Sequence, residues 1–266
     1  MPESGKKQFT ADAMAAEQIA TLKETERRNR DLGAEEYLQR LEEERGRYIL
    51  RAEAQTLLHH ISPKPGEAVL DAGAGVGRLA LVVAPKVSRL VCADLSSGAL
   101  DVLKSQAHRQ GIRNIETVQA DLCSITGSLG PFDVAYSVEV IQHIPSDRER
   151  RAALVRIYEL LKPGGRCLIS VVCWNSRTRR EGAEKEGFWG TGDRRLYVYS
   201  FAPHEIGRLL IETGFHDVRV RGLLVLPGRI TRHLPASLAV VDTWCSMIPA
   251  LSCMGRYVIA TGRRPS

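Results

Sequence analysis

A glycine-rich turn between an apolar strand and a helix constrains the fold more than any other feature of this chain. Residues 69–78 read Val-Leu-Asp-Ala-Gly-Ala-Gly-Val-Gly-Arg. Glycine has no Cβ, so a backbone with glycine at every second position can turn tightly and lie against a bound ligand. Asp71 ends the strand, where its carboxylate would repel a pyrophosphate and suits a ligand with a cationic end. Arg78 stands where the dinucleotide-binding pattern GxGxxG requires glycine, so the turn favours another ligand.

Strand and helix patterns alternate regularly after this turn. Residues 97–110 form an amphipathic helical pattern that Gly111 ends, and a capping box at Ser146 opens a helix to about residue 161. Strand-like segments follow at 90–94, 115–119, 132–137, 166–173, 215–224 and 257–262, and several of them are near-continuous apolar runs. Near-continuous apolar strands that alternate with helices indicate an α/β fold with a mostly parallel sheet covered on both faces.

Composition and length indicate a globular protein. The 266 residues, 44% hydrophobic and 26% charged, suffice for one domain of ordinary size with additions. The longest apolar passage, residues 234–254, contains Pro235, Asp242 and Pro249, which argue against a membrane span. The chain shows no signal-peptide pattern, and its six cysteines form no CxxC pair, so we expect a cytoplasmic protein with reduced thiols. His59, His60 and the cysteines lack the spacing of metal ligands, and we predict no metal.

The net charge of +6 is unevenly distributed. Residues 1–60 hold ten Lys or Arg and twelve Asp or Glu, a net of −2, so the remainder carries +8. A positive field of this size could attract a polyanion, or it could simply keep the protein in solution.

We divide the chain into an N-terminal helical arm or lid, residues 1–60, and a main domain, residues 61–266. Residues 1–30 are polar, a loose helix or a partly disordered arm, and a helical period begins at Ala34. Tyr48 and Arg51 are predicted to reach over a bound cofactor. Residues 174–200 are predicted to be a long substrate loop, and residues 225–252 an apolar helical insertion that serves packing.

Five motifs in register resemble the class I S-adenosylmethionine (SAM) dependent methyltransferases, in particular the type 11 and type 25 small-molecule enzymes. The Asp-x-Gly-x-Gly-x-Gly turn resembles their motif I, and residues 132–142 resemble motif IV. Asp94 ends the next strand, seventeen residues after Gly77, and Asp121 follows the third strand. Residues 160–165, Leu-Leu-Lys-Pro-Gly-Gly, resemble the turn after motif IV. The likeness covers about residues 65–215.

The resemblance implies a Rossmann-like three-layer sandwich with a seven-stranded, mostly parallel sheet in which one strand is antiparallel. It also implies SAM as cofactor, with Asp94 accepting from the ribose hydroxyls and Asp121 from the adenine amino group. Two of these acids have structural alternatives, since Asp71 could cap the turn and Asp121 a helix start. The residues predicted to bind SAM are Asp71, Gly73, Ala74, Gly75, Gly77, Asp94, Leu95, Asp121, Leu122 and Val138, together with Tyr48 and Arg51.

His143, just after motif IV, is the candidate general base, because histidine titrates near neutral pH. A histidine in this position can equally be structural. Glu139 and His204 are weaker candidates. Three aromatic residues around the end of the predicted loop form an acceptor wall or alternate in and out of a strand: Tyr197, Tyr199 and Phe201.

We expect an enzyme that methylates O, N or C of a small molecule, such as a natural product. One alternative is a tRNA methyltransferase, since residues 141–145, residues 148–151 and Trp174 resemble the wobble-uridine carboxymethyl methyltransferases. Nucleic acid is not favoured, because neither an RNA-binding appendage nor a dense basic stripe is present. A non-catalytic SAM-binding partner subunit is the other alternative. The sequence predicts no oligomeric state.

Overall fold

A seven-stranded sheet organises the protein in the computed structural model, which describes residues 16–190, 195–248, 251 and 253–266. The strands are β1 Ala68–Ala72, β2 Arg89–Asp94, β3 Ile115–Gln119, β4 Phe132–Val138, β5 Leu161–Val172, β6 Glu186–Trp189, β7 Leu196–Tyr199, β8 His216–Leu223 and β9 Tyr257–Arg263. The sheet has the order β3-β2-β1-β4-β5-β9-β8, and β6 pairs with β7 in a separate hairpin.

The central strands are parallel, and β9 runs antiparallel to both of its neighbours. Val69 of β1 pairs with Leu90 on one side and Val134 on the other. The carboxyl ends of β1, β2 and β4 therefore lie together at one edge. The predicted fold class, with one antiparallel strand in a mostly parallel sheet, is confirmed.

Helices cover both faces of the sheet. They are α1 Ala16–Ile61, α2 Ala80–Val83, α3 Ser97–Arg109, α4 Asp147–Leu160, α5 Ser176–Arg180, α6 Pro203–Thr213, α7 Gly228–Thr231 and α8 Val240–Met247. One apolar core includes residues of α4 and α6, and a second includes residues of α1 and α3 on the other side. These are the three layers that the resemblance implies.

Local sequence fixes the ends of the principal helices. Ser96 accepts a hydrogen bond from the N–H of Ala99 at the start of α3, and Ser146 does the same for Glu149 at the start of α4. Gly214, at φ 107°, ends α6 in the left-handed conformation that glycine adopts without strain.

Helix α1 begins at Ala16 among the described residues, so the described part of residues 1–30 is helical, which is one of the two alternatives for that stretch. The helix is kinked at Gly46 (φ 74°, ψ 158°). One prediction about local structure was wrong: residues 174–200 were predicted to be a loop, but they contain helix α5 and the hairpin of β6 and β7. The polar residues 1–15 of the predicted arm lie outside the described residues. No described helix is both long and apolar enough to cross a membrane.

Candidate active site

A cavity of about 800 Å³ lies at the carboxyl edge of the central strands. The glycine-rich turn contributes Asp71, Gly73, Ala74, Gly75, Val76 and Arg78 to its lining. The ends of β2 and β4 and the segments after β3 and β4 contribute Asp94, Leu95, Asp121, Leu122, Val138 and His143. Helix α1 contributes Lys23, Glu26, Arg30, Tyr37 and Leu41, and a further part of the wall contains Trp189, Leu196, Leu224, Leu226, Thr231 and Arg256.

The three glycines of the turn have different roles. All three have positive φ: 96° at Gly73, 54° at Gly75 and 83° at Gly77. A Cβ at Gly73 would lie 2.2 Å from a Val140 methyl group, and a Cβ at Gly77 would lie 2.1 Å from a Leu103 methyl group. A Cβ at Gly75 would meet no atom within 4 Å, so this backbone faces open space. Gly73 and Gly77 therefore serve packing, whereas Gly75 leaves the turn accessible to a ligand.

Asp71 is a buried carboxyl group at the end of β1. The Tyr136 hydroxyl donates a hydrogen bond of 2.9 Å to its Oδ2. Burial raises the pKa of Asp71 to about 7, and the nearby charge of Asp94 adds to the shift. A cationic ligand in the cavity would favour the ionised form and so lower this pKa.

Two backbone N–H groups bind the two carboxylate oxygens of Asp94. The N–H of Gly75 donates to its Oδ2 at 2.7 Å, and the N–H of Ser96 donates to its Oδ1 at 2.9 Å. Burial raises the pKa of Asp94, while these hydrogen bonds and the charge of Arg30 oppose the shift. Each carboxylate oxygen retains a lone pair for a ligand hydroxyl.

Asp121 is paired with the N-terminal helix. Its Oδ2 accepts from Lys23 Nζ at 2.9 Å, and its Oδ1 accepts from the N–H of Cys123 at 2.9 Å. Burial would raise the pKa of Asp121, but these bonds outweigh it and the pKa is lowered. Lys23 also donates to Glu149 at 2.9 Å, so one lysine ties α1 to two parts of the main domain.

Helix α1 reaches the cavity through residues other than those predicted. Lys23, Arg30 and Tyr37 line it, but Tyr48 and Arg51 do not. After the kink at Gly46, the Tyr48 side chain is only 4% exposed and packs in the apolar core beside Ala52. Arg51 is exposed on the surface.

His143 lies in the cavity wall as a neutral imidazole. Its Nδ1 is 2.7 Å from the Tyr197 carbonyl oxygen, which can only accept, so Nδ1 carries the proton. Its Nε2 is 3.4 Å from the Gln142 amide nitrogen, whose Oε1 accepts from the N–H of Val172. Burial lowers the pKa of His143. Nε2 is therefore the unprotonated nitrogen at neutral pH, and the Gln142 amide N–H donates a long, weak hydrogen bond to its lone pair.

Glu139 has a strained backbone at the end of motif IV. Its φ of 59° is in the left-handed region, which is unusual for a residue with a Cβ. Arg78 Nη2 lies 3.6 Å from Glu139 Oε1 and donates to Glu53 of α1 at 2.9 Å. Strain of this kind concentrates at functional sites, and Glu139 lines the cavity, so it stays among the candidate residues.

The aromatic residues around the end of the predicted loop do not line the cavity. Tyr199 and Phe201 lie against the guanidinium of Arg150, at 4.3 and 6.0 Å from their ring centres. The Tyr197 hydroxyl donates to Glu186 at 2.7 Å. Trp189, which lines the cavity, meets His143 edge-on at 5.9 Å. His204 lies outside the cavity.

Comparison with known proteins identifies the family. A family model described as a methyltransferase domain matches residues 69–165. The ubiquinone biosynthesis O-methyltransferase of Xylella fastidiosa is 31% identical over 194 residues, which cover 70% of this chain and 76% of that protein. This chain belongs to the SAM-dependent methyltransferases.

Further relatives of this methyltransferase have different acceptors in their names. The ubiquinone biosynthesis O-methyltransferase of Dinoroseobacter shibae is 30% identical over 174 residues, 62% of this chain and 67% of that protein. The chain spans 35% of a phosphoethanolamine N-methyltransferase of Caenorhabditis elegans and 29% of one of Triticum aestivum. The solved 1,6-didemethyltoxoflavin-N1-methyltransferase of Burkholderia thailandensis is 21% identical, with a TM-score of 0.60 and coverage of 95% of this chain and 92% of that one. At that identity the likeness shows the fold alone.

The cavity of this methyltransferase fits SAM chemically. SAM carries positive charge at its sulfonium and its ammonium group, and the buried carboxyl group of Asp71 and the partly buried one of Asp94 face the cavity. The open space beside Gly75 leaves the turn accessible for close approach. Within the described ranges no group of three or more His, Cys, Asp or Glu could hold a metal ion.

Proposed function

We propose that this methyltransferase transfers a methyl group to an oxygen or nitrogen atom of a small acceptor with a largely apolar body. One observation carries the proposal: a neutral His143 shares a cavity with the buried acid Asp71 and the partly buried acid Asp94. The wall beyond these residues contains Trp189, Leu196, Leu224 and Leu226, which suit an apolar acceptor.

Each predicted SAM ligand that lines the cavity has a role in this proposal. SAM, when bound, supplies an electrophilic methyl group on a sulfonium. Asp94 accepts from the ribose hydroxyls, Asp121 accepts from the adenine amino group, and Asp71 balances the ammonium charge. Apolar contacts to the cofactor come from Leu95, Leu122 and Val138, and the backbone contacts come from residues 73–75.

His143 is proposed to remove a proton from the acceptor. An acceptor ammonium must lose a proton before its nitrogen can attack, and an acceptor hydroxyl must lose its proton as the new bond forms. Nε2 is the unprotonated nitrogen that would take this proton in place of its long contact with the Gln142 amide. The Tyr197 carbonyl oxygen fixes this tautomer, and the positive charge that develops on His143 is shared through the same hydrogen bond. In-line placement of the nucleophile supplies most of the remaining catalysis.

The relatives support a small-molecule acceptor. The curated relatives include O-methyltransferases of ubiquinone biosynthesis, and a solved relative is an N1-methyltransferase complexed with 1,6-didemethyltoxoflavin. These names argue for oxygen or nitrogen rather than carbon as the methylated atom.

Two of the three arginines in residues 148–151, the stretch that favoured the tRNA alternative, are engaged within the protein. Arg150 is buried and donates to the Ile144 carbonyl oxygen at 3.0 Å. Arg151 pairs with Asp147 at 2.6 Å and also with Glu212. Phosphate binding would have to break these contacts, so we do not favour RNA as the acceptor.

Two further proposals concern the division of the chain and its cellular location. We propose a lid formed by residues 1–60 on a domain of residues 61–266, which is supported by α1 ending at Ile61. We also propose a cytoplasmic protein, which is supported by six free cysteines.

The test is methyl transfer from radiolabelled SAM to phenols, to amines and to bulk tRNA. We expect label in a small molecule, and we expect the Asp94→Asn variant to bind SAM about tenfold more weakly because a charged hydrogen-bond acceptor is lost. Glu116→Gln is the matched control, since Glu116 is an exposed surface acid paired with Arg89. Label in tRNA alone would favour the RNA alternative, and SAM binding without transfer to any acceptor would favour a non-catalytic subunit.

A further inference from the structure

Helix α8 turns its polar side chains inward and its apolar side chains toward solvent. Asp242, Thr243 and Ser246 are buried, whereas Val240, Trp244 and Met247 are exposed. The Trp244 side chain is 59% exposed. A surface helix of a globular protein normally has the opposite arrangement.

Hydrogen bonds fix this orientation. Asp242 accepts from the N–H of Val225 at 2.8 Å and from the N–H of Leu226 at 3.3 Å. The hydroxyl groups of Thr243 and Thr56 of α1 are 2.8 Å apart. Rotating the helix to bury Trp244 would break these bonds and leave the backbone N–H groups without an acceptor. These hydrogen bonds therefore keep the apolar side of α8 exposed to solvent.

Other exposed hydrophobic side chains lie in the same stretch of chain as this apolar side of α8, and together they are here called the α8 surface. Its members are large hydrophobic side chains that are all exposed: Ile230, Leu238, Val240, Trp244, Met247, Ile248, Leu251 and Met254. They come from one segment, residues 230–254. Contiguous exposed apolar patches on proteins mark sites of interaction.

The charges around the α8 surface are positive. Residues 226–256 contain three arginines, Arg229, Arg232 and Arg256, all exposed. The acid of the segment, Asp242, is buried and bonded to backbone. An apolar face with Trp, Met, Ile and Leu and with cations beside it is the composition of a surface that lies in the headgroup region of an anionic bilayer.

A second copy of the chain is the weaker candidate for covering this surface. In a symmetric dimer the same patch meets itself, so the arginines of both copies, Arg229 and Arg232 among them, would be brought into one interface. The like charges would oppose association, whereas anionic headgroups would neutralise them.

We propose that the α8 surface docks this protein on the surface of a bilayer that contains anionic lipids. The attachment is peripheral: Trp244 and its neighbours enter the headgroup region, and Arg229 and Arg232 contact phosphate groups. The cavity is lined by Leu226, Gly228 and Thr231 of the same segment, so its acceptor end adjoins the docking surface. The statement about the acceptor end rests on the proposed function, whereas the docking proposal does not.

The test is binding of the full chain to vesicles of phosphatidylcholine with and without phosphatidylglycerol, measured by cosedimentation and tryptophan fluorescence. We expect binding to the anionic vesicles and a blue shift of the emission. Trp244→Lys should reduce vesicle affinity about tenfold or more and abolish the shift. Arg229→Glu with Arg232→Glu should reduce binding in a salt-dependent manner.

Ile211→Lys is the matched control, because Ile211 is an equally exposed apolar residue, 61%, on α6. It should bind vesicles as the unmodified protein does. Unchanged SAM affinity and thermal unfolding in all variants would show that folding is intact. Absence of binding to anionic vesicles, or equal loss in Ile211→Lys and Trp244→Lys, would overturn the proposal. So would a dimer that Trp244→Lys dissociates without any vesicle binding, since a second copy would then cover the surface.

Discussion

The pKa of Asp71 makes cofactor binding depend on pH in a way that one substitution can isolate. Burial raises this pKa to about 7. If the ionised carboxylate balances the cationic cofactor, affinity is full above pH 7 and is lost as the pH falls below it. Replacing Asp71 with Asn keeps the shape and the acceptor for the Tyr136 hydroxyl but removes the titration.

The size of the effect follows from the pKa. Asp71 is about nine-tenths ionised at pH 8 and about one-tenth at pH 6, so affinity should fall about tenfold, or about 1.4 kcal/mol. The α-amino group of the ligand itself titrates near pH 8. The useful quantity is therefore the ratio of the two dissociation constants, unmodified protein against Asp71→Asn, because the titration of the ligand cancels in it.

Calorimetric titration with SAM at pH 6, 7 and 8 measures this ratio. The advantage of the unmodified protein should shrink about tenfold between pH 8 and pH 6. Asp133→Asn is the control, because Asp133 is a carboxylate outside the cavity that is paired with Lys162, at 2.8 Å. A ratio that stays constant with pH would refute the reasoning, and Asp71 would then serve only to hold Tyr136 and the turn.

Two further predictions concern the turn and the base. Gly77→Ala should lower the free energy of unfolding in urea by about 2–4 kcal/mol, because the new Cβ meets Leu103 at a positive φ. Gly111→Ala, which has a positive φ but no neighbour within 4 Å, should cost about 1 kcal/mol, and equal losses in the two variants would contradict the steric argument. His143→Gln should lower kcat about 10²- to 10⁴-fold at unchanged SAM affinity. His204→Gln should leave both unchanged, and an undiminished kcat in His143→Gln would assign His143 a structural role.

The sheet could be predicted from the sequence because the local pattern of apolar residues reveals most of its strands. Residues 90–94 and 257–262 are largely apolar, and the structure places strands at Arg89–Asp94 and Tyr257–Arg263. Asp71 and Asp94 lie at the ends of their strands, and Asp121 comes two residues after β3. The carboxyl ends of parallel strands share one edge, so these acids converge on the cavity.

The role of helix α1 could not be predicted, because its contacts are ionic and distant in sequence. Lys23 pairs with Asp121, ninety-eight residues away. A helix whose inner face contacts carboxylates has no apolar period to detect. Tyr48 and Arg51 lie in the part of the helix that does have an apolar period. That period marks packing against the core, and the kink at Gly46 separates both residues from the cavity.

The sequence also could not predict which side of α8 faces the protein interior. Periodicity shows that Val240, Trp244 and Met247 share one side of a helix, but it does not show which side is inward. That choice is made by Asp242 and Thr243, whose partners, Val225 and Thr56, lie in other segments. The interpretation of residues 225–252 as packing accounts for the polar side of α8 and leaves its apolar side unexplained.

The pairing of Lys23 with Asp121 has a thermodynamic consequence for the whole N-terminal helix. If Asp121 receives the adenine amino group, the helix and the cofactor share one carboxylate, and the two attachments are linked equilibria. The cofactor changes the free energy with which α1 binds the domain by some amount, and α1 changes the binding free energy of the cofactor by the same amount. The measured affinity for SAM is then also a measure of how firmly residues 16–45 are attached.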